Sequence, residues 1–159
     1  MNGFVRLGAA LCCACLYLTP FALPQTTTAA AARAATRSVY DKQPDVSEKE
    51  LLAFLELLPQ FRQWTRAEQE EAHPVLRAGK ADFLYSPKAA QWVTEKGWDA
   101  RRFFCVMGRM AAALVMVEEG GNAMARPKDM PEVSKAELEL ARKHLGSILK
   151  ASMDNAQLQ

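Results

Sequence analysis

The sequence predicts an all-α fold, with four or five helices packed around a central apolar helix at about residues 100–119. Three observations lead there. Apolar residues recur at helical spacing in several separate stretches, and no stretch shows strand alternation bounded by turns. Helix-start signals stand at Ser47, Ser86, Asp99 and Ser134, each a side chain able to accept from a free backbone amide of the first turn. The run 103–117, FFCVMGRMAAALVMV, is apolar nearly all round, the pattern of a helix buried on most of its sides.

Each element has its own signal. Ser47-Glu48-Lys49-Glu50 opens the first helix as a capping box, and Leu51, Phe54, Leu55 and Leu58 follow at helical spacing. Pro59 lacks an amide and its ring crowds the carbonyl of Leu55, so a kink or break is expected there. Phe61, Trp64 and Ala67 carry the apolar stripe onward. Thr65 with Glu68 repeats the cap signature, so a new helix is expected to restart at Thr65. The polar stretch 66–72 should face water, and Pro74 and Gly79 end the region. Ser86-Pro87 pairs a capping residue with proline at the first helical position. Ala89, Trp92 and Val93 form the buried face of that helix. Gly97 stands where a left-handed residue closes it, with Trp98 folding back onto Val93. Asp99 caps the central helix, which Gly120-Gly121 ends. At 15 residues interrupted by Arg109, its apolar run is too short to span a bilayer, which takes about 17–25. After a loop containing Pro127 and Pro131, Ser134 and Glu137 form another capping box. Leu138, Ala141, Leu145 and Ile148 then line a final helix to about Ser152.

Composition narrows the class. The chain has 159 residues, 20 Lys+Arg against 18 Asp+Glu, and 50% hydrophobic residues, which suits one globular domain. These values exclude a disordered chain, a polytopic membrane protein and a disulfide-dense miniature. A formal charge of +2 is no footprint for nucleic acid, so no such partner is expected.

The first 40 residues contain Arg6, Arg33 and Arg37 and no acid. Residues 7–18 carry no charge, and a polar stretch and the small-residue run 29–32 follow. A basic start, a short apolar run and a small-residue exit describe a secretory signal peptide. Residues 1–32 are therefore expected to be cleaved, 33–46 to be a disordered tail or linker, 47–153 the helical domain and 154–159 a frayed end. The protein is expected in the periplasm or outside the cell, with no integral span in the mature chain. Cys12, Cys13 and Cys15 would leave with the signal, so Cys105 alone remains, and it sits in apolar surroundings that suit a structural thiol.

Few residues point to chemistry. Glu70-Glu71-Ala72-His73 has Glu-x-x-His spacing, which on a helix would turn Glu70 and His73 to one face as weak metal-ligand candidates. A second copy of the motif is missing, since Ala141 precedes His144 by three residues. Arg109 is the one charge within 103–117. Its stem can lie along the helix with its head in water, or its guanidinium can anchor a carboxylate from the protein or a ligand. Met124 and Met130, in the loop after the central helix, are candidate binding residues because flexible methionines suit adaptable surfaces. Arg101 and Arg102, against the dipole at a helix start, would form at most a small basic rim with Lys96. No catalytic residue and no cofactor are implied.

The order LPQFRQWT and then AAQWVTEKGWDARRFFCVMGRMAAALVMVEE resembles small exported helical proteins of Gram-negative bacteria, over residues 50–119. In these a helix ending in Lys-Gly is followed by an aromatic residue and a long alanine-rich helix. The resemblance implies fold and location only. A looser likeness is to helical periplasmic stress chaperones marked by Leu-Thr-x-x-Gln; here Trp64, Thr65 and Glu68 occupy the marked positions, and Thr65 alone agrees. The functional expectation is a non-catalytic periplasmic binding or interaction protein that buries an apolar segment of another protein or peptide in a helical groove. The alternatives are a small metal-binding protein or enzyme using Glu70, His73 or Arg109, and a chaperone-like protein.

Overall fold

A computed structural model describes residues 37–120, 124 and 126–153. The expected signal segment, with Cys12, Cys13 and Cys15, and the expected frayed end lie outside the described residues. Among the described residues the chain order is α1 (Glu48–Ala67), β1 (Ala72–Arg77), β2 (Lys80–Tyr85), α2 (Pro87–Glu95), α3 (Ala100–Glu118), α4 (Lys135–Lys143) and α5 (Leu145–Ser152). The all-α expectation is therefore corrected. The fold is mixed, with five helices and a two-stranded antiparallel sheet among these residues.

The sheet is a tight hairpin, with Arg77 opposite Lys80 and Ala72 opposite Tyr85. Ala78 and Gly79 join the strands with φ of 48° and 75°. Positive φ at both central residues is the type I′ turn, whose twist matches that of the strands. Its usual signature is Asn-Gly or Asp-Gly; here alanine takes the left-handed position, which hid the turn. Pro74 has no amide to donate, yet every strand of a two-stranded sheet is an edge, so proline is tolerated. Phe83 and Tyr85 stack on Phe104 of α3, with ring centroids 5.4 and 4.0 Å away. The hairpin is thus held by aromatic burial.

The caps behave as the chemistry demands. The hydroxyls of Ser47, Ser86 and Ser134 and the carboxylate of Asp99 each accept an amide of the first turn that follows. Gly97, at φ 85°, ends α2. The amide of Trp98 donates to the Val93 carbonyl at 3.3 Å and that of Gly97 to Thr94 at 2.9 Å, a Schellman stop. The Trp98 ring lies against Phe54 and Phe103.

Two boundaries differ from expectation. α1 runs unbroken through Pro59 to Ala67, and Thr65 donates its hydroxyl to the Arg62 carbonyl instead of capping a new helix. Buried residues on both sides of the proline, Leu51, Phe54 and Leu55 before it and Phe61 after it, face the same core. That shared burial outweighs one lost amide bond. α1 then ends in a second Schellman stop, with Gln69 at φ 54° in the place of glycine. The last helix divides at His144 into α4 and α5, and the His144 ring nitrogen Nε2 lies 2.7 Å from Glu48 Oε1.

The helix α3 is central, packing against α1, α2, α4 and β2. Phe103, Phe104, Cys105 and Val106 have no exposed surface. No helix among the described residues is long and apolar enough to cross a membrane.

Candidate binding groove

The segment expected to be a loose tail is, from residue 38 to 46, a strap laid across α3. Val39 and Val46 are buried. Ser38 donates its hydroxyl to the Ala81 carbonyl, and the Val39 amide donates to Asp82 Oδ1, which is itself buried. Three arginines of α3 hold the strap's carbonyls. Arg101 Nη2 reaches those of Ser38 and Asp41 at 2.7 and 2.8 Å. Arg102 grips Glu50 with Nε and Nη2, both at 2.5 Å, and reaches the Pro44 carbonyl with Nη1 at 2.8 Å. Arg101 and Arg102 therefore serve the strap rather than a basic rim with Lys96, whose ammonium lies over the Trp92 ring.

Arg109 does not reach into water. Its side chain is 11% exposed, and Nη1 lies 2.8 Å from Oε1 of Glu137, which is 1% exposed. The same guanidinium donates to the carbonyls of Pro44 and Gln43. Glu137 also accepts the amides of Val46 and Ser134. A buried carboxylate held by one guanidinium and two amides is a paired charge, the condition under which burial is tolerated. The carboxylate that Arg109 anchors is thus the protein's own. Beside it the Tyr40 hydroxyl lies against Gly108, where an added Cβ would stand 2.1 Å from the oxygen. That close approach explains a glycine in mid-helix. Burial pushes the Tyr40 hydroxyl above its ordinary pKa and does the same to the Cys105 thiol. Cys105 is fully buried, with Arg102 Nη1 3.9 Å from its sulfur.

The other predicted site residues are scattered. Glu70 and His73 do not share a helix face, because the chain has left α1 and His73 is on β1, where side chains alternate with period 2. His73 is exposed, with Nδ1 3.0 Å from the Pro74 carbonyl and Nε2 3.9 Å from Glu71. Glu70 lies 3.8 Å from the Lys88 ammonium. The geometric basis for a metal pair is thereby lost. No group of three or more His, Cys, Asp or Glu side chains is gathered to hold a metal among the described residues. Met124 is 92% exposed, and Met130 is half-buried, its carbonyl taken by Arg126.

What the fold does build is a groove of about 320 Å³ between α1, α3 and α5. Phe54, Leu58 and Phe61 of α1 stand at i, i+4 and i+7. Met107, Met110, Ala111 and Leu114 of α3 repeat that helical spacing, and Ile148 with Ser152 closes the side formed by α5. The buried members make the floor. Met107, Ala111 and Leu114 are half-buried and form a wall. Arg62, Thr65, Arg66 and Glu70 bring polar groups to the same groove. Neither Met124 nor Met130 lines it.

Met107, Met110 and Leu114 fall in the run 103–117 that the sequence assigns to a buried helix, since periodicity cannot distinguish a groove wall from a packed interior. From sequence, Arg62 has no assigned role and Arg66 belongs only to the polar, water-facing stretch 66–72. Their signal was a basic pair at i, i+4 directly beside the apolar stripe of Leu58 and Phe61. Among known proteins, no family model, no curated protein and no solved structure matches this chain.

Proposed function

We propose that this is an exported, non-catalytic binding protein that buries the apolar part of its ligand in the groove between α1, α3 and α5. The observation that supports this reading is the groove itself, an apolar floor drawn from three helices with polar side chains at its edge. Small-molecule sites are concave and mostly apolar, with a few placed polar groups, and span about 300–1,000 Å³. At about 320 Å³ the groove is at the small end, sized for a short chain or a few anchoring side chains rather than a whole second helix.

Ala111, on the wall, offers the test. The native protein should take up an environment-sensitive apolar fluorophore saturably at one site. Ala111→Phe should fill the groove and reduce that uptake at least about tenfold, since losing one well-buried apolar contact surface amounts to about 1.5–3 kcal/mol. A circular-dichroism melt would check that the variant stays folded. Equal uptake by both proteins would remove the groove from the proposal.

Export is the second part of the reading, supported by the basic, apolar and small-residue order of residues 1–32. Mass spectrometry of protein from its native host should show loss of about the first 29–32 residues, at the small-residue run. An intact Met1 in the soluble fraction would end the proposal of export.

A further inference from the structure

We infer that Glu48 is a positioning residue for the groove: its carboxylate holds the turn at His144 and so keeps α5 in place as the third wall. This rests on the groove being the binding site. α5 brings Ile148 and Ser152 to the lining. Its Ile148 and Ala151 are buried. Apolar burial is non-directional, so it holds α5 in the core without fixing its angle or register. The chain does not fix them either. α4 ends and α5 begins at the single residue His144, and no side chain caps α5.

A directional bond stands at that same residue. One oxygen of Glu48, Oε1, lies 2.7 Å from His144 Nε2 and 2.8 Å from the Lys143 ammonium. The Lys143 ammonium, and then the His144 ring, hold the Glu48 carboxyl below its usual range. An ionised carboxylate only accepts, so Nε2 carries the hydrogen and donates it. The His144 side chain is 15% exposed, so this bond is partly shielded from water. Glu48 is the first residue of α1, and Phe54 and Leu58 of the groove floor follow on the same helix. On the other side, the His144 carbonyl accepts the Ile148 amide at 2.9 Å. The clamp thus joins the start of one groove element to the start of another, one turn before Ile148. Ion pairs with exposed partners add little to stability. The clamp therefore acts on where α5 lies rather than on whether the chain folds.

The experiment measures saturable uptake of N-phenylnaphthylamine, an uncharged environment-sensitive fluorophore, by the full chain and its variants, beside circular-dichroism melts. Glu48→Ala should weaken uptake about threefold to tenfold, since the clamp cannot bias the groove by more than its hydrogen bond contributes. Its melting temperature should fall by less than about 4 °C. Glu48→Gln keeps an acceptor oxygen and should restore most of the affinity. His144→Ala should repeat the loss. The double variant Glu48→Ala with His144→Ala should lose no more than either alone, as expected of partners in one interaction. Unchanged uptake by Glu48→Ala would overturn the inference and leave the groove standing. Losses that add in the double variant, or that track the melting temperature, would overturn it as well. No saturable uptake by the native protein would overturn the groove and the inference together.

Discussion

Arg109→Ala should lower the unfolding free energy by about 3–5 kcal/mol, read from denaturant melts of the full chain. Deleting the guanidinium leaves Glu137, 1% exposed, with two backbone amides and no countercharge. It also strands the carbonyl of Gln43 on the strap, while that of Pro44 loses one donor and keeps Arg102. If the head of Arg109 lay in water, the loss would be under about 1 kcal/mol, so the two cases are well separated. Arg142→Ala is the control. Its partner Glu139 is 70% exposed, and the change should stay within about 0.5 kcal/mol. Arg109→Lys should recover part of the loss, because an ammonium meets Glu137 but lacks the fork that spans two carbonyls and a carboxylate. A loss under about 1 kcal/mol for Arg109→Ala would mean that the buried pair is absent in solution.

The legibility of this fold followed the range of each interaction. Caps are local, and the Ser47, Ser86, Asp99 and Ser134 signals each correspond to a cap in the structure. Gly97 was equally legible, because a helix stop depends on five or six consecutive residues. Glu137 shows where that range ends. As the fourth residue of a Ser-x-x-Glu motif it reads as a surface capping group; it does cap α4, yet it is buried and also bonds residues 46 and 109. Arg109 admitted two readings from sequence, a head in water or a carboxylate partner, and nothing in the spacing selected Glu137 from 18 Asp+Glu. The strap was illegible for the same reason. Its carbonyls are bound by side chains some 57–66 residues away, and aperiodic sequence carries no mark of such pairing. At Pro59 only the expected break is excluded, because burial on both sides of it keeps the helix continuous. The groove was half legible: its wall was read correctly as apolar helix, but its openness depends on where α5 lies after the turn at His144.

Phe104→Ala tests the part of the fold that periodicity missed. The ring has no exposed surface and lies 4.0 to 5.7 Å, centroid to centroid, from Tyr85, Phe83, Phe103 and Phe61. Removing a buried phenyl group typically costs about 3–5 kcal/mol, from lost transfer energy and the cavity left behind. Against a typical domain margin of about 5–15 kcal/mol, the variant should melt far below the native protein. The location of the damage is more telling than its size. An isolated two-stranded hairpin is marginal in water, so β1 and β2 owe their order to what they pack on. Phe104 is the α3 residue on which both inner aromatic side chains of β2 stack. Backbone amides of 72–85 should therefore lose hydrogen-exchange protection before those of α4, whose anchor is the Arg109–Glu137 pair. Phe83→Ala should reproduce the local loss with less effect on α1, because the Phe61–Phe104 contact at 5.7 Å survives. If Phe104→Ala melted normally and kept the hairpin amides protected, the docking of the sheet on α3 would be wrong.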